Sequence, residues 1–266
     1  MTRNRETDIS QRLGDVRVAI TGGTSGLGLA LVAELTRRGA RVAFVARTAE
    51  RVEEVARAHP GAHGIVGDVA RKEDIHPIAL QIAGNLGGLD VLVNNASSLG
   101  PVPLALLADT ECEELELALV TNVLGPFRLA RALLGALSAA ARERRGGVVL
   151  NVSSDAAVNA YPRWGAYGAS KAALHHMSRI WDEELAAEGV RVLSLDPGDM
   201  DTPLHALAVP DSDSSTLKRP EAAARELADA IAAALPDRLA RADPLTLVSS
   251  PEPVEGAQDE LREIHA

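Results

Sequence analysis

Only two tyrosines occur in this chain of 266 residues, and one of them, Tyr167, stands four positions before Lys171 in the stretch AYGASK. On a helix that spacing places a phenol and an ammonium on one face. The pair is either an ordinary half-buried surface contact or a phenol whose acidity is being set. Ser154 precedes Tyr167 by thirteen residues and follows the apolar run GVVLNV. Further upstream, Asn122 sits four residues before Pro126. Proline has no N–H, so the Asn122 carbonyl loses its helical partner, the helix should kink there, and the carbonyl becomes free to hold water. A kink of purely structural purpose is the alternative.

Such groups need elements to hold them. The apolar runs VRVAI (16–20), ARVAFVA (40–46), HGIVG (63–67), LDVLVN (89–94), GVVLNV (147–152) and VRVLSL (190–195) alternate with Ala/Leu-rich helical patterns near 27–38, 49–58, 72–86, 110–139, 167–188 and 220–235. Continuous apolar strands separated by helices predict a parallel sheet buried on both faces. The expected architecture is therefore α/β, a Rossmann-type doubly wound sheet with helices on each side. PLTLV (244–248) offers an edge strand and brings the expected count to about seven. Gly39, Gly88 and Gly189 fall between a helix and the next strand, where a left-handed cap is wanted. The expected organisation is an extension at 1–14, a single domain over 15–250, and a Pro- and Glu-rich tail at 251–266.

Directly after the first strand comes TGGTSGLG, Thr21 to Gly28, with Gly22, Gly26 and Gly28 in the pattern GxxxGxG around Thr24, Ser25 and Leu27. Glycines at a strand-to-helix turn let the backbone approach a pyrophosphate, and the helix N-terminus favours its charge. The second strand ends on Ala46 with Arg47 next, instead of the acid that would bind a ribose 2′-hydroxyl. That favours NADP(H) over NAD(H). Thr48 either shares the phosphate contact or caps the following helix. Asp68, beside Val69 at the end of the third strand, either accepts from an adenine amino group or caps a turn.

The net charge of −10 argues against nucleic acid and anionic membrane as partners. A single cysteine, Cys112, permits no intrachain disulfide and suits the cytoplasm. The charged N-terminus has no apolar core of a signal peptide, and no uninterrupted apolar run approaches the ~18 residues of a membrane span. His59 and His63 are separated by Pro60 and Gly61, so the histidines form no metal set.

Taken in order, these motifs resemble the short-chain dehydrogenase/reductase family, in its shorter single-domain branch, over about residues 15–235. TGxxxGxG is met by Thr21 to Gly28, the family's NNAG by Asn94, Asn95, Ala96 and Ser97, and its catalytic tetrad by Asn122, Ser154, Tyr167 and Lys171. Its PG motif is met by Pro197 and Gly198, with Thr202 in the place of a cofactor-contacting threonine. Ser97 replaces the usual glycine, Ser25 stands where many NADP-dependent members carry a basic residue, and the glycine-rich C-terminal end is missing.

The resemblance implies hydride transfer between a nicotinamide and a carbonyl or secondary alcohol. Ser154 would hold the substrate oxygen, Tyr167 would move the proton, and a water on Asn122 would relay it from Lys171. The cofactor side would use the glycine turn, Arg47, Asp68, Val69, Asn95, Ala96, Ser97, Tyr167, Lys171, Pro197, Gly198, Met200 and Thr202. Bringing a phenol of pKa ~10 near neutrality takes about 4 kcal/mol, and one charge about 4 Å away at an effective dielectric of about 20 supplies roughly that. Lys171 is therefore expected to do most of it. Asp155, Tyr161, Trp164, Leu204 and His205 are the candidate substrate residues. The substrate class stays open among ketones, sugars, pterins and acyl thioesters. Members of the family form dimers or tetramers, here through the helices near 110–139 and 167–188. A non-catalytic NADP(H)-sensing protein on the same fold is the alternative.

Overall fold

The computed structural model describes residues 13–236. In chain order these form β1 (Arg17–Thr21), α1 (Gly26–Arg37), β2 (Arg41–Ala46), α2 (Ala49–Ala58), β3 (Ala62–Val66), α3 (Lys72–Leu86), β4 (Val91–Asn94), α4 (Cys112–Leu119), a π-helical turn (Val120–Leu124), α5 (Gly125–Arg142), β5 (Val148–Val152), α6 (Gly165–Leu185), β6 (Arg191–Leu195), α7 (Pro203–Ala208) and α8 (Pro220–Ala234). All strand pairs are parallel, in the order β3-β2-β1-β4-β5-β6.

Among the described residues the sheet has six strands, not seven. The stretch proposed for the seventh, 244–248, lies outside the described residues, as do most of the N-terminal extension, the end of the expected domain and the tail. The described residues belong to one compact unit.

Strand parity divides the core in two. Val18, Ile20, Val42 and Phe44 point to the side of α1 and α8, where Leu31, Leu35, Leu227 and Ile231 meet them. Ala19, Ala43 and Val45 point to the side of α3 and α5, against Ile78, Ile82, Leu129 and Leu133. Both faces are dry, which is why the strands read as unbroken apolar runs. The span Cys112–Arg142 is long and apolar enough to cross a membrane by length and composition alone; here Leu129, Leu133 and Leu137, four apart, are buried against the sheet.

Just before Pro126 that span departs from a simple α-helix. The chain widens one turn earlier, and the Gly125 N–H reaches back to the Val120 carbonyl. The bond satisfies Val120, and the proline still leaves the Asn122 carbonyl without its i+4 donor. The left-handed cap of α3 is Gly87 at φ 69°, one residue before the expected Gly88. Gly88 follows at φ 134° under the Arg17 guanidinium, where a Cβ would fall 2.2 Å from a nitrogen. Gly39 and Gly189 occupy left-handed positions as expected.

The strand order reverses between β1 and β4, and the crevice at their carboxyl ends is where doubly wound sheets hold ligands.

Candidate active site

A cleft of about 740 Å³ opens at that crevice. It is lined by every residue expected to touch cofactor or substrate, together with Ser154, Tyr167 and Lys171. Asn122 alone of the expected set lies behind it, fully buried.

At the glycine turn, the Asn95 amide donates to the carbonyls of Thr21 (2.9 Å) and Gly22 (3.2 Å), while Thr21 Oγ1 accepts from the N–H groups of Asn95 and Ala96. Asn95 thus braces the turn as well as lining the cleft. A Cβ on Gly28 would fall 2.0 Å from the Gly22 carbonyl, so the turn closes only with glycine there. Gly23, which the motif left as a variable position, is equally constrained: its Cβ would lie 2.6 Å from that of Phe44. Ser25 precedes α1 in an extended conformation and its hydroxyl does not cap the helix. The first N–H groups of α1 therefore stay available beside the cleft, and the turn fits a pyrophosphate.

Beyond β2, Arg47 is exposed, lines the cleft and pairs with no carboxylate among the described residues. Thr48 takes the cap position of α2 without a side-chain bond. Asp68 Oδ1 accepts from the Ala70 N–H at 2.9 Å, which realises the turn-capping role. Thr202 packs against Gly26 and caps α7 by accepting from the His205 N–H at 3.2 Å.

The expected tetrad converges at the inner end. Tyr167 (8% exposed) lines the cleft together with Ser154 and Ser97, whose hydroxyls act on the phenol in the direction that lowers its pKa. Ser154 Oγ accepts from the Ala156 N–H and donates to Asp155 Oδ1, both at 3.2 Å. Lys171 Nζ donates to the Val152 carbonyl at 2.8 Å and lies 5.5 Å from the centre of the Tyr167 ring. The Asn122 side chain joins the loop after β4 to α6, with bonds to Ser97, Ser98 and Ser170.

The electrostatics differ from the expectation. Burial pushes the Tyr167 phenol up to about 12, and Asp196 and Asp155 reinforce the shift. Burial also lowers the Lys171 ammonium to about 8, against the pull of Asp196. Protein groups alone therefore leave Tyr167 protonated at neutral pH. The pairwise Coulomb argument omitted the cost of ionising a phenol inside the protein, and that cost wins.

On the substrate side, Tyr161 donates to Asp155 Oδ2 at 2.7 Å, and Trp164 meets Tyr167 edge-on with ring centres 5.6 Å apart. Leu204 packs with Tyr167, and His205 carries a buried Nε2 without a partner among the described residues. The sequence did not single out Ser98, Leu99, Leu117, Asp196 or Asp199 as cleft residues. Asp196 and Asp199 flank the PG motif, and that adjacency was the available signal.

A switch-point cleft with a glycine turn at one end and a Ser-Tyr-Lys constellation at the other defines a nucleotide-dependent oxidoreductase fold. A sequence model of the short chain dehydrogenase family matches residues 17–213, and the chain belongs to that family. It is similar to the 2-(R)-hydroxypropyl-CoM dehydrogenase of Xanthobacter autotrophicus, at 34% identity over 194 residues, covering 71% of this chain and 76% of that one. Among solved structures it is similar to a 3-ketoacyl-(acyl-carrier-protein) reductase from Brucella melitensis complexed with NADH, with TM-score 0.77, 27% identity, and 82% and 91% of the two chains covered. A short chain dehydrogenase from Shigella flexneri complexed with NADP is similar too, with TM-score 0.76, 26% identity, and 84% and 93% covered. The chain is an NAD(P)-dependent oxidoreductase acting on a small molecule.

Proposed function

We propose that the protein transfers hydride between NADP(H) and a carbonyl or secondary alcohol, with Tyr167 as the acid/base group. The observation that carries this reading is the meeting of Tyr167, Ser154 and Lys171 at the inner end of the cleft that begins at the glycine turn. NADP(H) would lie along the turn with its pyrophosphate at the α1 N-terminus, and its nicotinamide would supply or accept the hydride. Arg47, which pairs with no carboxylate among the described residues, shares the cleft with the hydroxyls of Ser25 and Thr48 and supports a 2′-phosphate and so NADP(H) over NAD(H).

In reduction, Ser154 holds the substrate oxygen and Tyr167 delivers its proton there. A phenol held well above neutrality still suffices, since the alkoxide it neutralises is the far stronger base. Lys171, anchored on the Val152 carbonyl, keeps a positive charge behind the phenol. The Asn122 carbonyl, deprived of a donor by Pro126, offers a water site for resupplying the proton. Asp155, Tyr161, Trp164, Leu204 and His205 shape the substrate end. The exposed thiol of Cys112 supports a reducing compartment such as the cytoplasm. Homodimers or homotetramers through α5 and α6 complete the reading.

The test is Tyr167→Phe in a carbonyl-substrate screen that follows NADPH absorbance. Turnover should fall about 10³-fold, within the range of general acid/base contributions. The variant should still bind NADPH, and more tightly than NADH, in a fluorescence titration. Full activity without the hydroxyl would refute the mechanism, and tighter binding of NADH would refute the cofactor assignment.

A further inference from the structure

The loop after β6 brings Pro197, Gly198, Met200 and Thr202 to the cleft, and its two ends are held by different means. At one end Thr202 packs on Gly26, the first residue of α1; a Cβ on Gly26 would lie 3.2 Å from the Thr202 Cβ. At the other end the hold comes from Lys218, 21 residues along the chain from Pro197. Its Nζ donates to the Pro197 carbonyl at 3.0 Å and to Glu226 Oε2 on α8 at 2.7 Å.

The Lys218 main chain pairs with the same loop. Its N–H donates to the Asp199 carbonyl and its carbonyl accepts from the Asp201 N–H, both at 3.0 Å, which forms a parallel bridge opposite Met200. Those bonds fix residues 199–201 and do not reach the turn before them. Pro197 has no N–H to offer, and the Gly198 N–H goes to Asp196 Oδ1 at 2.8 Å, within the loop itself. Among the described residues the ammonium bond is what joins this turn to another element.

That element is anchored. Leu227 and Ile231 of α8 share one apolar cluster with Leu31 and Leu35 of α1, and Met200 packs against the same cluster. Lys218 therefore connects the loop on one side of the cleft to the layer whose helix α1 opens at the glycine turn on the other. It does not itself line the cleft, so it can act there only through the loop. The ion pair with Glu226 stands partly in water, with 34% of the Lys218 side chain and 60% of the Glu226 side chain exposed. Such a pair contributes little to global stability. Its loss should therefore loosen the turn without unfolding the chain.

We propose that Lys218 is a positioning residue that clamps the Pro197–Gly198 turn at the distance from the glycine turn that a nicotinamide cofactor needs. This deepens the proposed function and rests on its placement of the cofactor between those two walls. A loosened turn must be ordered again when the cofactor binds, and that ordering weakens affinity. The clamp does not touch the 2′-phosphate end, so NADPH and NADH should be affected alike.

Lys218→Met keeps the aliphatic stem and removes the ammonium. In fluorescence titrations of the full chain, its Kd for NADPH and its Kd for NADH should each rise about tenfold, the scale of reordering one short turn. The melting midpoint should stay close to that of the parent. Lys218→Arg, which keeps the charge and the donors, should recover most of the loss. Arg38→Met is the control: Arg38 follows α1 at the end away from the glycine turn and joins it to α8 through Asp229. Its replacement should lower the melting midpoint and leave both Kd values unchanged. Unchanged affinity in Lys218→Met would overturn the proposal. So would a loss confined to NADPH, which would mean contact with the 2′-phosphate, and so would an equal loss in Arg38→Met, which would mean general loosening of the layer. The titrations need no turnover, so they are read independently of Tyr167→Phe.

Discussion

Lys171 is the residue whose environment sets the clearest conflict between stability and function. Its ammonium is 2% exposed and burial lowers it from 10.5 to about 8. Below about pH 8 the folded chain bears a charge in a dry site. Between about 8 and 10.5 the unfolded chain binds this proton and the folded chain does not, so stability contributed at this site rises with pH across that window. Lys171→Met removes the titration and also the pH-independent bond to the Val152 carbonyl. The stability of the variant relative to the wild type should therefore fall by roughly 3 kcal/mol as pH is raised across the window. Urea unfolding of both proteins at several pH values measures this, and a flat difference would mean the ammonium is not paying for its burial. At this scale the sequence carried much of the site. Ser154, Tyr167, Lys171 and the glycines were marked by order and spacing along the chain. The Asn122 side-chain hub was not, because its partners Ser98 and Ser170 lie 24 and 48 residues away and nothing local announces them. Nor was the high proton affinity of Tyr167, which depends on burial that no pairwise spacing reveals.

Glycine has opposite meanings in different elements. In the turn between β1 and α1, a Cβ on Gly28 would overlap the Gly22 carbonyl and crowd the Asn95 amide at 2.6 Å. Gly28→Ala should open the turn that Asn95 braces and weaken NADPH binding by about 100-fold, a loss on the scale of two charge-assisted hydrogen bonds. Within α3, a Cβ on Gly84 meets nothing within 4 Å. Gly84→Ala should leave binding intact and stabilise the fold by about 0.5–1 kcal/mol. Isothermal titration and thermal melts on the pair separate the two effects, and equal binding losses would contradict the role given to the turn. The element pattern was legible because strands buried on both faces are unbroken apolar runs and the helices between them have apolar stripes. Boundaries agreed within a few residues. The π turn at Val120–Leu124 escaped notice because the sequence shows only the missing donor at Pro126, and nothing local marks the wider turn just before it. Gly23 escaped because its constraint comes from Phe44 on a neighbouring strand.

For the molecule as a whole, the open question of scale is how many chains act together. Phe127 of α5 stacks on Trp181 of α6 with ring centres 5.4 Å apart, so the two helices lie side by side. Leu124, the last residue of the π turn before α5, and Ile180 on α6 are exposed at 38% and 46%. Exposed aliphatics on neighbouring long helices suit an isologous contact, in which the same patch meets itself about a two-fold axis. The net charge of −10 on each chain opposes that contact. Apolar burial is insensitive to simple salt at moderate concentration, whereas like-charge repulsion is screened, so association through this patch should tighten as salt is raised. The expected outcome is a dimer or tetramer in sedimentation velocity that persists at higher dilution in salt. Ile180→Glu should shift it to monomer, because two carboxylates would then be brought together near the symmetry axis and desolvated. A wild-type monomer at all concentrations, or an Ile180→Glu oligomer as tight as the parent, would place the contact elsewhere or remove it. Weakening by salt would instead point to an interface held by ion pairs.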